Sequence, residues 1–227
     1  TGQVFNIKSI TQKAHEYGCF VGFDLAHATG NIMLDLHDWG VDFAAWCGYK
    51  YLNGGPGAPS GIFIHEKHLN KKNIFRFEGW WGTEQNARFN MHSDFKPSKT
   101  VEAWQLSNPP IFSMAALLAS LELFNEVGMN SLRNKSEKLT FYLEYLLKTN
   151  LKNNIEIITP HLIDERGCQL SFRLNKTIKN ITKILHKKGV ISDWRDPDVI
   201  RVAPVPFYNT FEDCYKFVKI LKKIING

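Results

Sequence analysis

A short apolar run, Phe43-Ala44-Ala45-Trp46, gives way at Tyr49-Lys50 to the turn Tyr51-Leu52-Asn53-Gly54-Gly55-Pro56-Gly57. A buried strand that ends in a lysine and then a glycine-rich turn is a strong constraint. Lysine is rarely buried without a partner, and desolvation lowers its pKa. A lysine so placed is an amine nucleophile able to form a Schiff base. Earlier in the chain a second apolar run, Phe20-Val21-Gly22-Phe23, ends in Asp24. Taken alone, Lys50 reads as a solvated cation and Asp24 as a helix cap or a metal ligand. Together, an amine and an acid at neighbouring strand ends suit pyridoxal 5'-phosphate. The lysine holds that cofactor as an imine, and the acid pairs with its ring nitrogen.

The first third of the chain alternates the two periodicities. Ile7 to Tyr17 has helical spacing, with Asn6 as a cap and Gly18 as a stop. Asn31 to Trp39 reads as a second helix, with Ile32, Leu36 and Trp39 on one side. Cys19–Asp24, Val41–Cys47 and Gly61–His65 read as strands. Short apolar strands interleaved with helices predict a mostly parallel sheet covered on both faces. Ligands gather at the carboxyl ends of such strands, where Asp24 and Lys50 fall. Residues 66–108 show little periodicity, which marks a long functional or packed loop. Pro109-Pro110 opens a long apolar helix, Ile111 to Val127, ended by Gly128. A second helix covers Ser131 to Thr149. Beyond it the pattern predicts a small α/β unit: strands at Ile155–Ile158, Cys168–Phe172 and Val199–Val202, and a helix at Ile178–Lys188. Thr210-Phe211-Glu212-Asp213 resembles a capping box opening a last helix to about Ile225.

At 227 residues and 44% hydrophobic, the chain has material for a sizeable core and is not a disordered type. No apolar run is long enough to cross a bilayer, and no leader pattern is visible, so a cytoplasmic location is expected. Four scattered cysteines, Cys19, Cys47, Cys168 and Cys214, lack metal-ligand spacing and read as buried free thiols in a reducing compartment. The formal charge of +6 comes partly from paired lysines, Lys71-Lys72, Lys187-Lys188 and Lys222-Lys223. No basic stripe interleaves with aromatics, which argues against a nucleic-acid groove; a basic balance favours an anionic cofactor and a carboxylate substrate. The chain opens at Thr1-Gly2-Gln3 without an initiator methionine, which suggests an incomplete, processed or purpose-made chain.

A denser set of motifs points to one family. Phe23-Asp24-Leu25-Ala26-His27-Ala28, Trp39-Gly40-Val41-Asp42-Phe43 and Tyr49-Lys50-Tyr51-Leu52-Asn53 resemble kynureninase. So do Ile64-His65-Glu66-Lys67-His68, Gly79-Trp80-Trp81-Gly82, Ser107-Asn108-Pro109-Pro110, Glu165-Arg166-Gly167-Cys168-Gln169-Leu170 and Arg201-Val202-Ala203-Pro204-Val205-Pro206. The resemblance runs the whole length, looks closest to eukaryotic-type enzymes, and covers the second half or so of a full family member. It implies the aminotransferase-like fold type I of pyridoxal-phosphate enzymes. Residues 1–110 would be the C-terminal part of a large, mostly parallel-sheet domain that binds the cofactor. Residues 111–227 would be long connecting helices and a small C-terminal α/β domain. It also implies a cytoplasmic homodimer that hydrolyses L-kynurenine or 3-hydroxy-L-kynurenine to anthranilate or 3-hydroxyanthranilate plus L-alanine, in tryptophan catabolism and NAD biosynthesis.

By that resemblance Lys50 carries the cofactor imine and Asp24 meets the ring nitrogen. His27, Tyr49, Trp80 and Asn108 contact the cofactor, and Arg201 grips the substrate α-carboxylate. The chemistry agrees. A carboxylate beside the ring nitrogen favours its proton. Lys50, released by substrate, is placed to move the Cα proton. Tyr49 offers a hydroxyl to phosphate or to a developing oxyanion. Trp80 offers an indole N–H, and Arg201 a two-pronged carboxylate grip. Asn108 and Ser107 would read the aromatic end of the substrate. Plainer readings stand beside these: a core histidine for His27, packing for Trp80 and Trp81, a surface pair for Arg201. His65 and His68 read as surface or packing residues, with no metal site. The enzymatic rival is a cysteine desulfurase or small-substrate aminotransferase. Desulfurases carry histidine before the cofactor lysine, where this chain has Tyr49, and they need a mobile cysteine. The other rival is a non-catalytic remnant. The family's phosphate-binding hydroxyls and ring-stacking aromatic are expected upstream of Thr1. The chain alone is therefore expected to be inactive, to bind the cofactor weakly and to self-associate.

Overall fold

The capped first helix forms as its sequence dictates. In the computed structural model, which describes residues 1–71, 73–90 and 93–226, α1 spans Ile7–Glu16 and Asn6 Oδ1 accepts from the Ser9 N–H at 2.9 Å. Gly18 follows with φ +71°, a conformation that stops a helix at little cost in glycine. Lys72 of the first lysine pair lies outside the described residues. The chain divides into two compact units, Asn6–Gly30 with Leu34–Glu126, and Thr1–Phe5 with Asn31–Met33 and Val127–Gly227. The expected boundary at 110/111 falls before the first long helix, whereas the units divide near its end.

The first unit is built on a three-stranded mixed sheet of β1 (Gly22–Asp24), β2 (Phe43–Trp46) and β3 (Gly61–Ile64), in that order. β1 and β2 are parallel, with Asp24 opposite Ala45. β3 returns antiparallel to β2. The reason is the connection: parallel strands need a crossover, usually helical, and residues 47–60 carry only turns. Ile7, Leu25, Val41 and Ala44 form the buried centre, with Phe23, Trp39, Trp46 and Phe63 packed on it. The helix expected over Asn31–Trp39 is absent; the stretch is a series of turns. Asn31–Met33 belongs to the second unit, where Asn31 Oδ1 accepts from the Cys168 N–H at 3.0 Å, and that attachment removes the chain from a helical path. The described residues between 66 and 108 form loops with three short 3-10 turns, at Glu66–His68, Arg88–Asn90 and Val101–Trp104. α2 (Ile111–Val127) then runs to Gly128, whose φ is +78°.

The second unit packs α3 (Met129–Leu151) and α5 (Phe211–Asn226) on a four-stranded antiparallel sheet. The strands are β4 (Ile155–Ile157), β5 (Leu170–Leu174), β6 (Asp193–Arg195) and β7 (Val199–Val202), in the order β4-β5-β7-β6. Leu139, Leu143 and Leu147 on α3 meet Phe217, Val218 and Leu221 on α5 and Leu170, Phe172 and Ile200 of the sheet. α4 (Ile181–Lys187) adds Ile181 and Leu185. The capping box at α5 is formed, with the Thr210 N–H donating to Asp213 Oδ2 at 2.8 Å and the Asp213 N–H to Thr210 Oγ1 at 3.2 Å. β6 has no apolar alternation to announce it; its pairing with β7 makes it a strand. All four cysteines are free thiols, but only Cys168 and Cys214 are buried. Cys19 is exposed, and β1 begins only at Gly22, three residues after it. No single helix among the described residues is long and apolar enough to cross a membrane.

Candidate active site

Asp24 closes β1. Its Oδ1 accepts from the Ala26 N–H at 2.8 Å, while the Leu25 N–H still bonds Ala45 O at 2.8 Å. This side-chain-to-backbone turn ends the strand at Asp24, three residues before His27. On β2 the turn after Trp46 closes tightly, with the Gly54 N–H donating to Gly48 O at 2.9 Å. Only glycine fits there. A Cβ on Gly48 would stand 2.2 Å from Pro59 O, and one on Gly54 2.8 Å from the Ala58 Cβ. α2 braces the same turn, with Ser120 Oγ donating to Leu52 O at 2.7 Å.

Lys50 is held at the crown of that turn, half-buried, with Nζ 3.2 Å from His27 Nε2. Two of the sequence-predicted residues, from the ends of adjacent parallel strands, thus come together, and Asp24 lies three residues before His27. Lys50 Nζ also stands 5.8 Å from the centroid of the Tyr49 ring. The Tyr49 phenol is raised above its ordinary pKa by its hydrogen bond to the Cys47 side chain, then by the charge there and by desolvation. It is therefore a protonated donor at neutral pH. His27 meets Tyr51 edge-on, with centroids 6.1 Å apart.

The remaining predicted residues lie on other segments. Trp80 lies in the long loop, edge-on to Phe89 at 5.3 Å, beside a cleft of about 270 Å³ lined also by Thr83, Arg88 and Asp94. Its neighbour Trp81 carries the Arg88 guanidinium 4.1 Å over its ring, a packing role. Ser107 and Asn108 are exposed just before α2, where Ser107 O accepts from Gln105 Nε2 at 3.0 Å. Arg201 belongs to the other unit, on β7, where its Nη2 donates to Asp193 on β6 and its Nε is buried with no partner.

Sequence reasoning missed the buried acid Asp42, one residue before β2. It accepts from Lys67 Nζ at 2.7 Å, His68 Nε2 at 2.6 Å, His15 Nε2 at 2.9 Å and the Val21 N–H at 2.7 Å. Burial pushes its pKa up, but the hydrogen bonds from Lys67, His15, His68 and Val21 outweigh it and hold the carboxyl far below the usual aspartate range. The network clamps α1, both parallel strands and the segment after β3, and so fixes where those strands end. Glu144 on α3 is the counterpart in the second unit. Buried, it pairs with Arg166 at 2.6 Å and His161 at 2.7 Å. Burial raises its pKa, and the bonds from Lys148, Arg166 and His161 lower it further than burial raises it. His15, Asp42, Lys67 and His68 lie too far apart in sequence to announce the first network.

Comparison with solved structures defines the fold. A cysteine desulfurase from Thermococcus onnurineus superposes with a TM-score of 0.77 at 16% identity, over all of this chain and 57% of that one. An alanine–glyoxylate aminotransferase from Nostoc gives 0.71 at 18%, over 99% and 59%. A mutant of the lyase C-DES, with glycine covalently linked to its pyridoxal-phosphate cofactor, gives 0.68 at 17%, over 86% and 49%. The fold is that of the fold type I pyridoxal-phosphate enzymes. Within that class, residues 132–221 match the kynureninase C-terminal domain, and the chain resembles kynureninase along its whole length. It is 54% identical to the kynureninase of Myxococcus xanthus over 98% of this chain and 52% of that protein. It is 53% identical to that of Flavobacterium psychrophilum, over 98% and 53%, and 50% identical to that of the rat, over 100% and 50%. These values do not favour the eukaryotic-type enzymes that the sequence motifs suggested. The chain spans about half the length of the curated relatives it matches.

Proposed function

We propose that the chain is part of a pyridoxal-phosphate-dependent hydrolase that cleaves L-kynurenine or 3-hydroxy-L-kynurenine to anthranilate or 3-hydroxyanthranilate plus L-alanine. The observation that carries this reading is the meeting of Lys50 and His27 at 3.2 Å, on turns leaving two adjacent parallel strands, with Asp24 at one strand end. The donor set fits the cofactor. Lys50 supplies an amine at the crown of a turn that glycine alone can form. Asp24 keeps one carboxylate oxygen on Ala26 and is exposed to offer the other to a ring N–H. When bound, pyridoxal phosphate supplies an electron sink for breaking bonds at the substrate amino acid.

The chain's own groups do the rest. Asp24 holds a proton on the ring nitrogen by placing a carboxylate beside it. Lys50 accepts and returns the substrate Cα proton, with His27 Nε2 within hydrogen-bond reach of its amine. Tyr49, protonated, donates to a phosphate or to an oxygen that gains charge as water adds to the side-chain ketone. Trp80 and Asn108 complete the cofactor contacts, and Ser107 with Asn108 reads the aromatic end. Arg201 grips the α-carboxylate. The same reading makes the protein a cytoplasmic homodimer of tryptophan catabolism and NAD biosynthesis, supported by the family likeness, the free thiols and the exposed apolar side chains of α2.

The test supplies the whole protein of which this chain is part with pyridoxal phosphate and L-kynurenine and follows anthranilate fluorescence, with 3-hydroxykynurenine and cysteine in parallel. Anthranilate or 3-hydroxyanthranilate is the expected product. Sulfide from cysteine, with neither aromatic product, would transfer the site to the desulfurase chemistry of its structural neighbours.

A further inference from the structure

We infer that Asp193 is a positioning residue: it holds the Arg201 guanidinium in the orientation that receives the substrate carboxylate. The inference rests on the reading of Arg201 given above. β7 is an inner strand, and Arg201 lies directly opposite Ser171 on β5 and Asp193 on β6. Directly opposed residues share a face of the sheet. Ser171 is fully buried, so the arginine has a dry neighbour on one side and the carboxylate on the other. Arg201 Nη2 donates to Asp193 Oδ2. Its Nε is buried with no acceptor.

A buried guanidinium N–H without a partner is costly, and here it points to an acceptor that arrives with a ligand. The guanidinium is planar and rigid, so anchoring Nη2 fixes where the Nε–H is aimed. Asp193 also accepts from Arg195 Nη2 at 3.1 Å, but the Arg195 side chain is 58% exposed against 21% for Arg201. The exposed pair contributes little. The part-buried pair determines the direction of the grip.

The experiment uses the whole protein of which this chain is part, loaded with cofactor, and its variants Asp193→Asn, Asp193→Glu, Arg195→Gln and Arg201→Lys. KM and kcat for L-kynurenine are measured. The Kd of L-alanine, and of ethylamine as the same amine without a carboxylate, are read from the cofactor absorption band. Asp193→Asn should raise KM and the L-alanine Kd about tenfold, the value of one charge-assisted hydrogen bond. It should leave kcat within about threefold, the ethylamine Kd, the cofactor band and the melting temperature unchanged. Asp193→Glu should recover part of the loss, and Arg195→Gln should change nothing. Asp193→Asn and Arg201→Lys together should cost less than the sum of the two, because both act on one contact. If Arg201→Lys raises KM while Asp193→Asn does not, the positioning role is overturned and the reading of Arg201 stands. If Arg201→Lys itself leaves KM unchanged, the carboxylate reading falls and the inference falls with it.

Discussion

Lys50 and Asp42 show two ways in which this chain uses a charged side chain away from bulk water. Lys50 is half-buried beside an imidazole, with no carboxylate among its described contacts, which leaves the amine available for chemistry. In the whole protein of which this chain is part, Lys50→Ala should therefore abolish both turnover and the cofactor adduct that borohydride traps. A trapped adduct in the variant would assign the imine to another lysine. Asp42 is the opposite case, a buried acid with every neighbour aligned to keep it ionised. Removing one partner of a buried ion cluster leaves the others uncompensated, at about 3 kcal/mol or more, so Asp42→Asn should destabilise the protein by about that amount at pH 7. The pH dependence follows from the depressed folded-state pKa. The stabilisation is complete above the unfolded aspartate value of about 3.9 and is lost as pH falls from there towards the folded value. Denaturant unfolding of both proteins at pH 7 and at about pH 3 should show the gap narrowing in acid. A gap that stays constant would mean that the charge of Asp42 is not what stabilises.

At the scale of the element, the turn after β2 carries the clearest link between backbone and function. Gly48 keeps a negative φ, so its necessity is one of space: a Cβ would stand 2.2 Å from a backbone oxygen, Pro59 O, which has no flexible end to move. Gly48→Ala should therefore shift the crown that carries Lys50 and lose the cofactor absorption band at otherwise saturating cofactor. A Gly55→Ala control tests a different cost, since Gly55 has φ +80° but open space. It should lower stability by about 1 kcal/mol and keep the band. A Gly48→Ala protein with full cofactor occupancy would show that the turn can relax. The sequence made this turn legible as glycine-rich and made Asp24 and Lys50 legible as strand ends, because strand, acid, amine and turn are all local signals. α1, α2, α3 and α5 were legible for the same reason, through caps and 3.6-residue spacing. The 31–39 stretch and β6 were not. The first has helical spacing, but Asn31 is bound to the Cys168 backbone N–H. The second is Asp-Trp-Arg, a strand only because β7 pairs with it. The Asp42 network needed four residues from three separate segments, and no periodicity records that. Arg201 is legible only through its motif, and strand register sets Asp193 opposite it.

For the whole chain, the deciding quantity is apolar surface left open on α2. A helix apolar on all sides is normally buried all round, yet Phe124 is its one buried residue among those described. Phe112 is 94% exposed and Ile111 76%, with Leu118 and Leu123 more than half exposed. Covering four such side chains would contribute roughly 6–12 kcal/mol at about 1.5–3 kcal/mol each. A contact between two copies covers the patch on both, roughly 12–24 kcal/mol against an estimated 4–15 kcal/mol for association, which leaves a surplus near the roughly 8 kcal/mol of a micromolar complex, so self-association is expected in the micromolar range. A formal charge of +6 opposes contact, but salt near physiological strength screens it within about 8 Å. Sedimentation velocity of this chain from about 1 to 50 µM should show a weight-average coefficient that rises with concentration. Phe112→Ser with Leu118→Gln should flatten that rise without changing the circular dichroism spectrum, because neither side chain is in a core. A single monomeric boundary for the unaltered chain across the whole range would show that α2 tolerates water as it stands, and the homodimer reading would lose its structural support.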